Sequence, residues 1–146
     1  MVAVLAVAVL TGGCGGGGSG PAQVPAGTGD RLPALSVECS GGLAGVQDRL
    51  DIQPDGTATA SQRQDPGAPV TRLGASEREN LARTTRQAAA RTYRPVYRTE
   101  GAADLFTYRI RFDTVAVTAD EMAIPAELAA IIDALAPVRT RLHLPC

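Results

Sequence analysis

DLFTYRIRFD, residues Asp104 to Asp113, is the stretch on which the fold turns. Phe106, Tyr108, Ile110 and Phe112 occupy alternate positions, with Thr107, Arg109 and Arg111 between them. A period of two, apolar on one side and polar on the other, belongs to a strand of an antiparallel sheet covered on a single face. Four large apolar side chains on that face make this strand the centre of burial. Downstream, a tight connection at Asp113–Thr114 leads to a second strand carrying Val115 and Val117. IPAELAAIIDALAP, residues 124–137, then sets Leu128, Ile131, Ile132 and Leu135 at helical spacing, with Pro125 at the start and Pro137 past the end.

Upstream lies another helix, begun by a capping box of Ser76 and Glu79 and carried by Leu81, Thr85, Ala88 and Thr92 until Pro95 stops it. Its apolar stripe is thin, so it rests on the sheet surface with Arg78, Arg83, Arg86 and Arg91 in solvent. Before it come three strands. The first alternates Leu35, Val37 and Cys39 against Ser36 and Glu38; the second carries Val46, Leu50 and Ile52; Pro54 to Gly56 turn the chain into a weak third, Thr57 to Gln62. Gln64 to Pro69 is a loop. The expected architecture is α+β: an antiparallel sheet of four to five strands packed with two helices, in the order βββαββα.

Between the first two strands runs SVECSGGLAGVQ, Ser36 to Gln47. Three glycines within five positions, Gly41, Gly42 and Gly45, exceed what hairpin closure requires, and they bracket Leu43 and Ala44. Either the loop presents Leu43 to a partner, or Leu43 folds back to cap the sheet and the glycines serve the turn.

The N-terminus indicates a compartment. Val2 to Leu10 is an apolar run of nine residues, roughly 14 Å as a helix and far short of a bilayer core of about 30 Å. It reads as the core of a signal peptide spanning residues 1–13. The small residues of LTGGC resemble the lipobox of bacterial lipoproteins, which implies lipid on Cys14 and a protein held on the extracytoplasmic side of the cell membrane. The alternative is an ordinary signal peptide that leaves Cys14 a plain thiol. Residues 14–33, rich in Gly, Pro and small polar side chains, form a flexible linker with a mean span of roughly 25 Å. Residues 34–146 make one domain.

With Cys14 lipidated, Cys39 and Cys146 remain as a pair in an oxidising compartment and are read as a disulfide. A buried Cys39 with an unpaired Cys146 is the other arrangement. The net charge of −1, with arginines scattered along the chain, gives no footprint for nucleic acid. Two Phe and three Tyr provide no stacking platform and few linings for a small-molecule substrate. The sole histidine, His143, has no Cys or His at ligand spacing, so neither a metal site nor a cofactor is expected, and its role is read as structural or incidental. Asp48 with Asp51, and Asp120 with Glu121, read as solvated residues of strands and turns. No catalytic residue is assigned.

Gly41-Gly42-Leu43-Ala44-Gly45 between two strands, a central helix, Asp104-Leu105-Phe106-Thr107-Tyr108, and Pro125-Ala126-Glu127-Leu128 opening a final helix together resemble the emfourin family. Emfourins are small bacterial inhibitors of thermolysin-like metalloproteases such as protealysin. The resemblance covers roughly residues 34–137, and excludes the lipoprotein front end, the hydrophilic insertion around Gln62 to Pro69 and the tail VRTRLHLPC. It implies a non-catalytic inhibitor whose partner is such a protease and whose candidate binding loop is residues 41–45. Enzymes of that class favour a bulky aliphatic or aromatic side chain just past the scissile bond, a place Leu43 suits. The reading from another class is an envelope adaptor or scaffold lipoprotein that binds a different exported protein.

Overall fold

A computed structural model of the chain describes residues 31–63 and 69–146. The expected signal peptide, the expected lipidation site Cys14 and most of the expected linker, with residues 64–68 of the Gln64–Pro69 loop, lie outside the described residues. The elements in chain order are β1 (Leu35–Gly41), β2 (Val46–Ile52), β3 (Thr57–Gln62), β4 (Val70–Arg72), α1 (Ala75–Ala89), β5 (Val96–Tyr97), β6 (Phe106–Phe112), β7 (Val115–Asp120), α2 (Ala126–Ala134) and α3 (Ala136–Arg141).

The α+β class stands, but the finer expectation needs correcting. One sheet of seven strands runs β4-β3-β2-β1-β6-β7-β5, and it is mixed because β5 pairs parallel to β7 while every other pairing is antiparallel. The order is ββββαβββαα, with three helices in place of two. The two extra strands are edge strands of three and two residues. Neither is long enough to show alternation, and β5 follows a proline, whose carbonyl still accepts the Thr118 N–H at 2.9 Å. Pro137 does not merely follow a helix. It sits in the first turn of α3, where its missing N–H is no loss.

Alternation places the core. Leu35, Val37 and Cys39 of β1 lie beside Ile52, Leu50 and Asp48 of β2 and beside Phe112, Ile110 and Tyr108 of β6. Against this face pack Leu81 and Ala88 of α1, Leu128 and Ile131 of α2, Leu135 between α2 and α3, and Val138 of α3, all essentially buried. The third strand reads weakly because its core-facing residues are Ala58 and Ala60, both at 0 % exposure: small side chains beneath a close layer still alternate. The packed body reaches back to Leu32, which composition assigned to the linker and which is 2 % exposed. The opposite face is polar and open. Glu38 there accepts from Arg49 at 3.0 Å and from Arg109 at 2.9 Å, a cross-strand ladder over β2, β1 and β6.

The first helix starts one residue before Ser76, and its cap is not the expected one. Gly74 is the N-cap, and its N–H donates to Glu77 Oε2 at 2.8 Å. Arg141 of α3 grips both oxygens of the same carboxylate, at 2.6 and 3.0 Å, so Glu77 ties the start of α1 to the end of α3. Thr84 and Thr85 are buried with their hydroxyls satisfied, each donating back to the Leu81 carbonyl, at 3.0 and 2.8 Å. The helix stops at Ala89, ahead of Thr92 and Pro95. The restriction that Pro95 imposes falls on Arg94, so the proline is not what ends the helix.

Ile110, 1 % exposed at the centre of β6, is the sharpest probe of this core. Ile110→Ala is expected to cost about 2–5 kcal/mol of stability, measured by chemical denaturation against the unsubstituted chain.

Candidate functional site

The β1–β2 loop has four residues, 42–45, closed by the Gly45 N–H donating to the Gly42 carbonyl at 3.0 Å. Each glycine has a separate reason. Gly41, at φ +112°, is the last residue of β1 and pairs with Phe106; a Cβ there would lie 2.6 Å from the Leu105 carbonyl oxygen. Gly42, at φ +66°, lies against the Phe106 ring, and a Cβ would approach Cε1 to 2.8 Å. Gly45, at φ +60°, has open space around it and needs glycine for its backbone alone. The turn and the close approach of β6 thus account for all three.

They do not account for Leu43. Its side chain is 91 % exposed, so it does not fold back to cap the sheet. Ala44 beside it is exposed as well. Met122, 72 % exposed, is a second apolar side chain at this end of the sheet: it follows Glu121, whose N–H donates to the Phe106 carbonyl at 2.9 Å. Sequence reasoning passed over Met122 because a lone methionine between a strand and a helix carries no periodic signal.

The base of the loop is held by the C-terminal tail. Cys39 is bonded to Cys146 across 107 residues, with the Cα atoms 6.1 Å apart. A bridge closing so long a loop contributes roughly 4–5 kcal/mol in the chain-entropy account. Gln62 Nε2 donates to the His143 carbonyl at 3.0 Å, which gives the backbone of that residue a part in docking the tail. Ala44, Gly45 and Val46 face His143 and Pro145 across a half-open cavity of about 430 Å³.

Asp48 corrects the reading of this region as solvated. It shares the parity of Leu50 and Ile52, so it points into the core beside Cys39, at 6 % exposure, and its Oδ2 accepts the Cys146 N–H at 3.4 Å. Burial raises its pKa above the ordinary carboxylate value, and the Cys146 N–H and the Arg139 charge offset only part of that effect. Asp120 is also buried, at 7 %, and accepts the Thr99 N–H at 3.1 Å. Asp51 is taken by Arg49 at 2.7 and 2.9 Å. No group of three His, Cys, Asp or Glu that could hold a metal ion occurs among the described residues.

Because the folded chain binds a proton at Asp48 more tightly than the unfolded chain does, ionised Asp48 weakens the fold. Its contribution is fully favourable only below the unfolded pKa and is lost as pH rises through the raised folded value. Asp48→Asn, which keeps an acceptor for Cys146, should therefore raise the melting temperature at neutral pH. The difference should vanish in acid below the ordinary carboxylate range. The glycines give a steric prediction: Gly42→Ala must displace Phe106 and strain the turn, so it should destabilise the domain more than Gly45→Ala, which meets no atom within 4 Å. Paired denaturation curves would check the order. Neither a scan against family models nor a search of curated proteins finds a match for this chain.

Proposed function

We propose that the chain is an exported lipoprotein, anchored by lipid on Cys14, that inhibits a thermolysin-like metalloprotease without catalysing any reaction. Leu43 enters the protease pocket just past the scissile bond, and the backbone of residues 41–45 follows it toward the cleft. The observation that carries this reading is the exposure of Leu43 on a loop whose three glycines are otherwise explained by the fold. Burial of that side chain by a partner would remove its apolar surface from water, which is favourable.

The loop suits such a role energetically. Its flanks are strands paired on both sides or in part, its turn is closed by a hydrogen bond, and its base is held by the tail through Cys39 and Cys146. Little ordering entropy is then lost on docking, which is where a rigid binding loop gains affinity. Leu43 also lies at the end of β1 away from Leu35, where the chain arrives from the linker. An anchored protein would present it away from the bilayer.

The test is inhibition of a thermolysin-like enzyme acting on a peptide substrate. Burying a leucine side chain contributes about 1.5–3 kcal/mol, and about 1.4 kcal/mol is tenfold. Leu43→Ala should raise the inhibition constant roughly ten- to a hundredfold while leaving the melting temperature unchanged. A chain that never inhibits, or one in which Leu43→Ala is silent, overturns the assignment of this loop to a protease.

A further inference from the structure

Four large apolar side chains stand exposed among the described residues: Leu43, Val70, Val96 and Met122. Val70 and Val96 belong to β4 and β5, the edge strands at opposite margins of the sheet, where a side chain has a neighbouring strand on one side alone. Leu43 and Met122 are the most exposed of the four, at 91 % and 72 %, and neither is on a strand. Both lie at the same end of the sheet.

A single row of residues fixes their spacing. Gly41, the last residue of β1, pairs with Phe106, the first of β6, and the Phe106 carbonyl accepts the Glu121 N–H just past the end of β7. Gly41, Phe106 and Glu121 therefore lie side by side across three adjacent strands, which sets the outer two about 10 Å apart. Leu43 follows Gly41 by two residues, and Met122 follows Glu121 by one. Two apolar prongs thus project past one row, with the half-buried Phe106 between their bases.

The backbone that carries Met122 is as firmly held as the β1–β2 loop. The Ala123 N–H donates to the Asp120 carbonyl at 2.8 Å, closing a turn whose central residues are Glu121 and Met122. Ahead of the turn, the buried Asp120 carboxylate accepts the Thr99 N–H at 3.1 Å and the Thr107 hydroxyl at 3.4 Å. Beyond it, Pro125 caps α2, whose Leu128 is wholly buried. None of these contacts involves the Met122 side chain, so the fold accounts for the turn and not for the methionine at its tip.

We propose that Met122 is a second anchor of the same interface, entering an apolar subsite of the protease cleft about 10 Å from the pocket that takes Leu43. Continuity with the Leu43 loop through Phe106 assigns both side chains to one partner, and the assignment rests on the protease reading above. A cleft that holds an extended substrate presents a succession of subsites, and about 10 Å spans three residues of extended chain. An unbranched thioether suits such a subsite because it adapts to an irregular apolar wall.

The inhibition constant against a thermolysin-like enzyme would be measured for the full chain, for Leu43→Ala, Met122→Ala, Met122→Leu and Val70→Ala, and for the double variant Leu43→Ala with Met122→Ala. Met122→Ala should raise it roughly tenfold with the melting temperature unchanged, and Met122→Leu by no more than about twofold. Contacts about 10 Å apart act independently, so the double variant should show the product of the two single losses. Val70→Ala, at the margin of the sheet, should leave the constant unchanged. Met122 is also the only methionine after Met1, which opens a chemical test on the unsubstituted chain. Hydrogen peroxide transfers one oxygen atom to the thioether sulfur and departs as water, the sulfur giving up two electrons, and the sulfoxide that forms is polar. Peroxide should therefore weaken inhibition by the unsubstituted chain and spare Met122→Leu. Undiminished inhibition by Met122→Ala, a double variant no weaker than Leu43→Ala, a loss of equal size in Val70→Ala, or equal peroxide sensitivity of Met122→Leu overturns this inference and leaves the Leu43 loop standing. A chain that never inhibits overturns both.

Discussion

β1 pairs with β2 and with β6 over all seven of its residues, and the parity of that double ladder governs the molecule. One residue of slip would turn Glu38 into the core and Cys39 outward, would separate Cys39 from Cys146, and would set Arg109 and Arg49 against apolar neighbours. Register is therefore fixed from both faces at once. On one, Val37, Leu50 and Ile110 meet beneath the helices; on the other, Glu38 bridges Arg49 and Arg109. The exposed bridges add little energy individually. Their value is in opposing the slipped pairing, which would bury Glu38 and leave both arginines without it.

The same ladder shapes the loop. Because Gly41 still pairs with Phe106, the chain leaves β1 directly against β6, and only glycine clears the Leu105 carbonyl and the Phe106 ring. The turn then projects beyond the sheet, and the residue at its tip has nowhere to pack. Leu43 is exposed as a consequence of how β1 ends. At its base the parity that puts Cys39 inside also puts Asp48 inside, so the tail that supplies the sulfur partner supplies an N–H to the carboxylate as well. One short segment compensates two buried groups, one covalently and one through a hydrogen bond that offsets part of its desolvation.

The long strands and the amphipathic helix of residues 126–134 were legible because each carries its own period: Ile110 and Phe112, or Leu128 and Ile131, declare a face without help from any neighbour. The pairing of Cys39 with Cys146 came from counting cysteines, and the structure joins them. Elements of two and three residues were not legible, since β4 and β5 exist only through the strands they border. Asp48 was legible in principle, because its parity with Leu50 and Ile52 was visible, but a carboxylate is taken for solvated unless a donor is known, and the donor lies 98 residues away. The cap of α1 was misplaced for a related reason. Ser76 and Glu79 satisfy a local pattern, whereas Glu77 is fixed by Arg141 at a separation of 64 residues. As for the candidate loop, its glycines were visible and their steric reasons were not, because those reasons are the backbone and ring of β6.

The tip at Leu43 then remains as a surface that the core does not require, joined at that end of the sheet by Met122. Its position follows from the ladder: β1 runs from Leu35, where the chain arrives, to Gly41, where the loop begins, a length of roughly 20 Å for a seven-residue strand. On the proposed assignment a protease cleft takes one leucine at the far end of that strand, and the sheet acts as a rigid spacer between the loop and the segment that leads toward the anchor. A soft linker could hold the tip at that distance but could not fix its orientation, which the paired register of β1 does.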